Sequence, residues 1–160
     1  MKHAWNKVSA PRRSIVIVDD EKSYAQLIAQ MIADNLECTV HAFTRPMEAL
    51  GSLGKISAGV VVTDYSMPQM NGIEFIKRAS RIAPSAVFIL ISGDDLDPLT
   101  EDLARLRRLK MRLRKPFGWR PLADAVLKVW PGTDAPVFRL NGNSNEEAID
   151  PPLGMVNPRP

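Results

Sequence analysis

Val60-Val61-Val62-Thr63-Asp64-Tyr65-Ser66-Met67-Pro68-Gln69-Met70-Asn71-Gly72 is a short apolar run closed by a carboxylate, then a proline, then an Asn-Gly pair before a helical pattern begins. Three consecutive valines suit a strand buried on both faces, because β-branched side chains fill a pleated interior. Asp64 then falls at the carboxyl end of that strand, the edge where open α/β sheets bind their ligands. Pro68 ends regular structure, and Asn71-Gly72 offers a turn in which positive φ costs little. Asp64 could instead cap the next helix, but the cap position falls later, near Asn71.

The pattern repeats on either side. Ile15-Val16-Ile17-Val18 runs into Asp19-Asp20-Glu21, and Lys22 to Leu36 carries Tyr24, Leu27, Ile28, Met31 and Ile32 at helical spacing. Cys38 to Phe43 reads as a strand, and Pro46 opens a helix through Leu53. Gly72 to Ile82 is helical, Ala86 to Ile91 is a buried strand reaching Ser92-Gly93, and Pro98 begins a helix to about Leu109. Met111 to Arg114 is a short basic strand, followed by Lys115-Pro116 and a helix from Pro121 to Trp130. Strand and helix alternate five times, which predicts parallel βαβ units in a doubly wound α/β sheet. Right-handed crossovers put every strand C-terminus on one edge.

Composition sets the outer bounds. The 160 residues are 45% hydrophobic and 24% charged, ordinary values for one domain with tails. Cys38 is the sole cysteine, so no internal disulfide forms and a reducing, cytoplasmic setting is expected. No apolar run approaches the ~18 residues that span a bilayer. Lys2, Lys7, Arg12 and Arg13 precede no apolar h-region, which argues against a secretory signal. The net charge of +3 owes much to that basic N-terminal tail and is weak support for a nucleic-acid partner. The expected division is a basic tail over 1–13, one domain over 14–130, and a Pro/Asn-rich, mostly irregular tail over 131–160 that docks locally if at all.

A constellation follows from the alternation. Asp19 and Asp20 come after the first strand, Asp64 after the third, Ser92 after the fourth and Lys115 after the fifth. Clustered carboxylates repel unless a cation joins them. Mg²⁺ is the expected one, since it takes hard oxygen ligands from one or two carboxylates, water and phosphate. A hydroxyl and an ammonium opposite would meet the remaining phosphate oxygens. The set fits phosphoryl transfer to a carboxylate. Taken singly, each residue has a plainer reading: Asp19 and Asp20 as helix caps, Ser92 as a turn serine, Lys115 as a solvated lysine. His3 and His41 have no partner at metal-ligand spacing, so no histidine relay is expected within the chain.

Val-Asp-Asp at 18–20, Asp-Tyr-Ser-Met-Pro-Gln-Met-Asn-Gly at 64–72, Ser-Gly at 92–93 and Lys-Pro-Phe at 115–117 together make residues 13–130 resemble the receiver domain of two-component response regulators. The resemblance implies a flavodoxin-like fold with strand order 2-1-3-4-5. It implies Asp64 as phosphoacceptor from a sensor histidine kinase or a histidine phosphotransfer protein. Asp19, Asp20, Asp64 and the Ser66 backbone carbonyl would hold Mg²⁺, Ser92 would be the switch hydroxyl, Lys115 would pair with the phosphoryl group, and Pro116 would follow a cis peptide. Ser66 and Asp94 stand where the family tunes phosphoryl lifetime. The implied role is a stand-alone, phosphorylation-activated switch, not an enzyme beyond its own phosphotransfer and autodephosphorylation.

One position departs from the family pattern. Three residues before the lysine, where Tyr or Phe is common, the chain has Arg112. Arg112 belongs to a run of eight basic and no acidic residues from Arg105 to Arg120. That run is either a solvated face or the docking surface of an acidic protein partner, with dimerisation open. Nucleic acid is disfavoured, because stacking aromatics at suitable spacing are lacking. The alternative function is an association-only module acting through this face.

Overall fold

The computed structural model describes residues 13–95 and 100–139. The elements alternate as read: β1 (Ser14–Val18), α1 (Lys22–Asn35), β2 (Val40–Phe43), α2 (Pro46–Leu53), β3 (Ala58–Asp64), α3 (Gly72–Ile82), β4 (Val87–Ser92), α4 (Thr100–Ala104), β5 (Leu109–Arg114) and α5 (Trp119–Val129). All five strands are parallel, in the order β2-β1-β3-β4-β5.

The two-residue period of the strands divides the core in two. Val16, Val18, Val61, Phe88 and Leu90 point to the side covered by α2 and α3. Ile15, Ile17, Val60, Val62, Ile89 and Ile91 point to the side covered by α1 and α5. β3 is buried along its whole length, which is why it reads as an unbroken valine run. Fully burying side chains such as Phe75, Phe88 or Ile89 is worth ~1.5–3 kcal/mol each.

Four expectations shift. The fourth helix, described from Thr100, ends at Ala104, and Leu109 belongs to β5. The chain must rejoin the sheet by Arg108, whose carbonyl accepts the Phe88 amide at 2.9 Å; tight Leu103–Leu106 and Arg105–Arg107 turns make the return. Pro98, the expected helix start, lies outside the described residues. α5 begins two residues before Pro121, which its first turn tolerates. Gly72 does not supply positive φ: the left-handed residue of that loop is Gln69, at φ 72°. Asn71 is the cap expected, its Oδ1 accepting the Glu74 amide at 3.0 Å.

The chain beyond α5 docks as far as it is described. The Glu37 amide donates to the Val137 carbonyl and the Arg139 amide to that of Asn35, forming an antiparallel bridge between Leu36 and Phe138. Leu140 and the rest of the C-terminal tail, like residues 1–12, lie outside the described residues. Among the described residues no helix is long and apolar enough to cross a membrane.

Candidate functional site

Register assembles the site. Val18 pairs with Thr63, so Asp19 and Asp64 leave neighbouring strands side by side. Ser92 ends β4 opposite Arg114, and the Lys115 amide donates to the Ser92 carbonyl at 2.8 Å. Residues from four strand ends, up to 96 apart in sequence, meet on one edge.

Lys115 is the hub. Its Nζ lies 2.8 Å from Asp19 Oδ2 and 2.8 Å from Asp64 Oδ1. Both carboxylates are buried, whereas the lysine is partly open to solvent. The second oxygen of each is also engaged. Asp19 Oδ1 accepts the Glu21 amide at 3.0 Å, and Asp64 Oδ2 accepts the Ser66 amide at 2.8 Å. The Lys115–Pro116 peptide is cis, as the resemblance implied.

Charge and burial pull against each other here. Burial pushes the Asp64 carboxyl above the usual carboxylate range, and the hydrogen bond and charge of Lys115 only partly offset it. For Lys115 the balance tips the other way. Burial disfavours its charge, but hydrogen bonds from its ammonium to Asp19 and Asp64 outweigh that and hold it above the ordinary lysine value.

The rim is a second small network. Ser92 is buried and its Oγ accepts the Asp94 amide at 3.0 Å, leaving the hydroxyl proton to donate. Ser66 Oγ donates to Asp94 Oδ2 at 3.3 Å and joins the loop after β3 to the loop after β4.

The three expected carboxylates are not gathered into one cluster. Among the described residues no group of three or more His, Cys, Asp or Glu side chains is arranged to hold a metal. Asp19 and Asp64 converge; Asp20, one residue further along the turn, is exposed. The donor chemistry still fits Mg²⁺. Two buried carboxylates share one ammonium and keep an excess negative charge, Asp20 adds another beside them, and every donor is a hard oxygen.

Arg112 is exposed on β5 and does not join the Asp64 site. With Lys110 and Arg114 it lies on the exposed positions of that strand, beside a groove of about 430 Å³ lined by Leu103, Ala104, Leu109, Lys110, Met111 and Arg112. The sequence reading missed Tyr24, whose ring sits on the Lys115 ammonium. Its helical spacing marked it as core, and nothing local to it signals a contact with a residue 91 positions away.

The family model for the response regulator receiver domain matches residues 15–127. The chain belongs to that family. This receiver is 33% identical over 98 residues to the cyclic di-GMP phosphodiesterase response regulator RpfG of Xanthomonas campestris pv. campestris (strain 8004), covering 58% of this chain and 26% of that protein. It is 32% identical over 112 residues to a response regulator receiver protein of Anaeromyxobacter sp. (strain Fw109-5), covering 70% of this chain and 46% of that one. The signal receiver domain of an HD domain-containing protein from Pseudomonas fluorescens Pf-5 superposes with a TM-score of 0.67 at 25% identity, covering 74% of this chain and 94% of the other. The receiver thus spans less than half the length of either curated relative. The five-stranded parallel sheet in the order 2-1-3-4-5 is the receiver fold, and two-component signalling is the setting it places the chain in.

Proposed function

We propose that residues 14–130 act as a phosphorylation-activated switch in which Asp64 accepts a phosphoryl group from a phosphohistidine of a sensor kinase or phosphotransfer protein. The observation that carries this reading is the Lys115 ammonium held between Asp19 and Asp64 at 2.8 Å from each. An Asp64 oxygen attacks phosphorus, the P–N bond to the imidazole breaks with its electron pair, and the imidazole takes up a proton. The product is an acyl phosphate on Asp64.

The chain's own groups meet the demands of that step. The Ser66 amide fixes one carboxylate oxygen, orienting the other. Lys115 loses one carboxylate charge as the acyl phosphate forms and can turn to a phosphoryl oxygen instead. Ser92 has a proton to donate to another. Mg²⁺, held by Asp19, Asp20, Asp64 and the Ser66 carbonyl, would neutralise phosphoryl charge when bound. Phosphorylation adds roughly −1.5 to −2 charge at pH 7 to a site tied to β4 and β5, and so biases the surface those strands carry. We place this chemistry in the cytoplasm, with output through protein contact or onward phosphotransfer.

The test is intact mass after incubation with acetyl phosphate, with and without Mg²⁺, beside Asp64→Ala. A Mg²⁺-dependent gain of one phosphoryl group, absent from the variant, is expected. No gain from acetyl phosphate or from phosphorylated kinases overturns the reading.

A second reading has its own observation. Lys110, Arg112 and Arg114 stand exposed at alternate positions of edge strand β5, and a groove lined in part by Leu103 and Ala104 of α4 lies beside them. That face suits an acidic protein partner bound by charge complementarity, with or without phosphorylation. Partner binding that survives Asp64→Ala, weakens with salt and is lost in Arg112→Ala would favour this association-only module.

A further inference from the structure

The Lys115 ammonium has a third neighbour. Tyr24, in the first turn of α1, places its ring centroid 4.2 Å from Nζ. Phe117 meets the same tyrosine edge-on, with centroids 6.3 Å apart and planes at 68°. Two residues from opposite ends of the domain thus form an aromatic wall beside the ammonium that bridges Asp19 and Asp64.

A lysine does not hold such a position unaided. Its ammonium is a point charge on a flexible four-carbon stem with three rotatable donors. The two carboxylates engage two of those donors, but one of them is Asp64, whose charge changes in the reaction. The ring supplies an attraction that does not depend on Asp64, since the negative face of an aromatic holds a cation electrostatically. It also consumes no N–H, so every donor stays available for carboxylate or phosphoryl oxygens.

Packing alone does not explain the residue. The Tyr24 hydroxyl is buried without a hydrogen-bond partner among the described residues, which costs stability. A leucine would fill an apolar site on α1 without that cost but would offer no π face to Lys115.

We propose that Tyr24 is a positioning residue for phosphoryl transfer to Asp64, its ring setting where the Lys115 ammonium sits. This rests on reading Asp64 as the acceptor. The residue acts through Lys115 and forms no bond in the reaction. With acetyl phosphate as donor, an Asp64 oxygen bonds phosphorus and acetate leaves with the electron pair of the broken P–O bond.

The experiment measures the rate of phosphorylation of the full chain by acetyl phosphate with Mg²⁺, by intact mass, in wild type, Tyr24→Phe and Tyr24→Leu, and again with Lys115→Ala combined with each. Thermal melts of all variants exclude unfolded samples. Tyr24→Leu is expected to slow transfer roughly three- to tenfold, the size of a cation–π attraction partly open to water. Tyr24→Phe keeps the ring and is expected within about twofold of wild type. In the Lys115→Ala background the two tyrosine variants should match each other.

Three results overturn the proposal alone: Tyr24→Leu at the wild-type rate, Tyr24→Phe as slow as Tyr24→Leu, or an undiminished leucine effect without Lys115. If the wild type gains no phosphoryl group, the acceptor reading falls first and this proposal with it.

Discussion

A β-carbon placed on Gly72 would lie 2.5 Å from the backbone carbonyl oxygen of Asp64 and 2.6 Å from Leu90 Cδ1. The glycine is there for close approach. It lets the start of α3 close over the end of β3, where the Gly72 amide donates to the Tyr65 carbonyl at 2.8 Å. Gly72→Ala should therefore destabilise the fold by about 2 kcal/mol, as overpacking of a rigid site does, read by urea denaturation. It should also slow phosphorylation of Asp64, because the backbone that carries the proposed acceptor has to move. A variant as stable and as reactive as wild type would show that the loop gives way freely.

Asp64 is expected to weaken the fold it serves. Its folded-state pKa is raised, with burial as the main cause, so the folded chain binds that proton more readily than the unfolded chain does. Stability from this group therefore rises as pH falls through the raised value and is lowest where Asp64 is ionised. In EDTA at neutral pH, Asp64→Asn should raise Tm by about 2–4 °C, near 1 kcal/mol for a chain of this size. The advantage should shrink on acidification. An unchanged or lower Tm at pH 7 would mean that the Lys115 bridge outweighs desolvation.

The part of this architecture that the sequence displays is the part written in short-range pattern. Valines at 60–62 between glycines and a carboxylate announce a doubly buried strand, and Asn71 announces its helix cap. Asp19, Asp64, Ser92 and Lys115 were placed together because each follows an apolar run, and register does the rest. What escaped depends on through-space contact or on competition. The ring of Tyr24 against Lys115 has no local signature. α4 is cut short because Arg108 is claimed by the β4 ladder, which helical spacing alone does not reveal. Asp20 looks equivalent to Asp19 in sequence, yet only one of two adjacent residues in an extended turn can point inward.

Lys115 should be the residue whose loss Mg²⁺ repairs. Lys115→Met leaves Asp19 and Asp64 buried against each other without their shared cation. Without metal, this should destabilise by about 1–3 kcal/mol, the usual cost of an unsatisfied buried group. Millimolar Mg²⁺ should recover a larger share of Tm in the variant than it adds to wild type. The pH dependence has the same sign as that of Asp64 but falls in a far more alkaline range. The folded-state pKa of Lys115 is raised, so its contribution is fully present below the ordinary lysine value of about 10.4 and is lost as pH climbs through the raised value. The difference between wild type and Lys115→Met should be flat from pH 6 to 9 and close only in strong alkali. A difference that closes near neutrality would contradict the bridge.

The segment after α5 should behave as a clasp on the end of α1. Arg139 Nε donates to the Ala33 carbonyl at 2.8 Å, and the Arg120 guanidinium lies 4.8 Å from the Phe138 ring centroid. Trp130 Nε1 donates to Asp134, which also faces Arg13 at 3.8 Å. Cys38 lies beside this clasp, in a hollow shared with Trp130, Asp134 and Val137, and burial pushes its thiol up to about 11. Because the thiolate is the reactive form, Cys38 should react with a disulfide reagent at pH 8 roughly a hundredfold more slowly than an unhindered cysteine. Phe138→Ala removes the ring that meets Arg120 at the residue bridged to Leu36. It should speed Cys38 labelling several-fold and lower Tm by about 2–4 °C, with faster hydrogen exchange at the Glu37 amide, which donates to Val137. Phosphorylation of Asp64, at the opposite end of the strands, should be unaffected. Labelling and exchange unchanged in Phe138→Ala would show that the clasp holds without its ring.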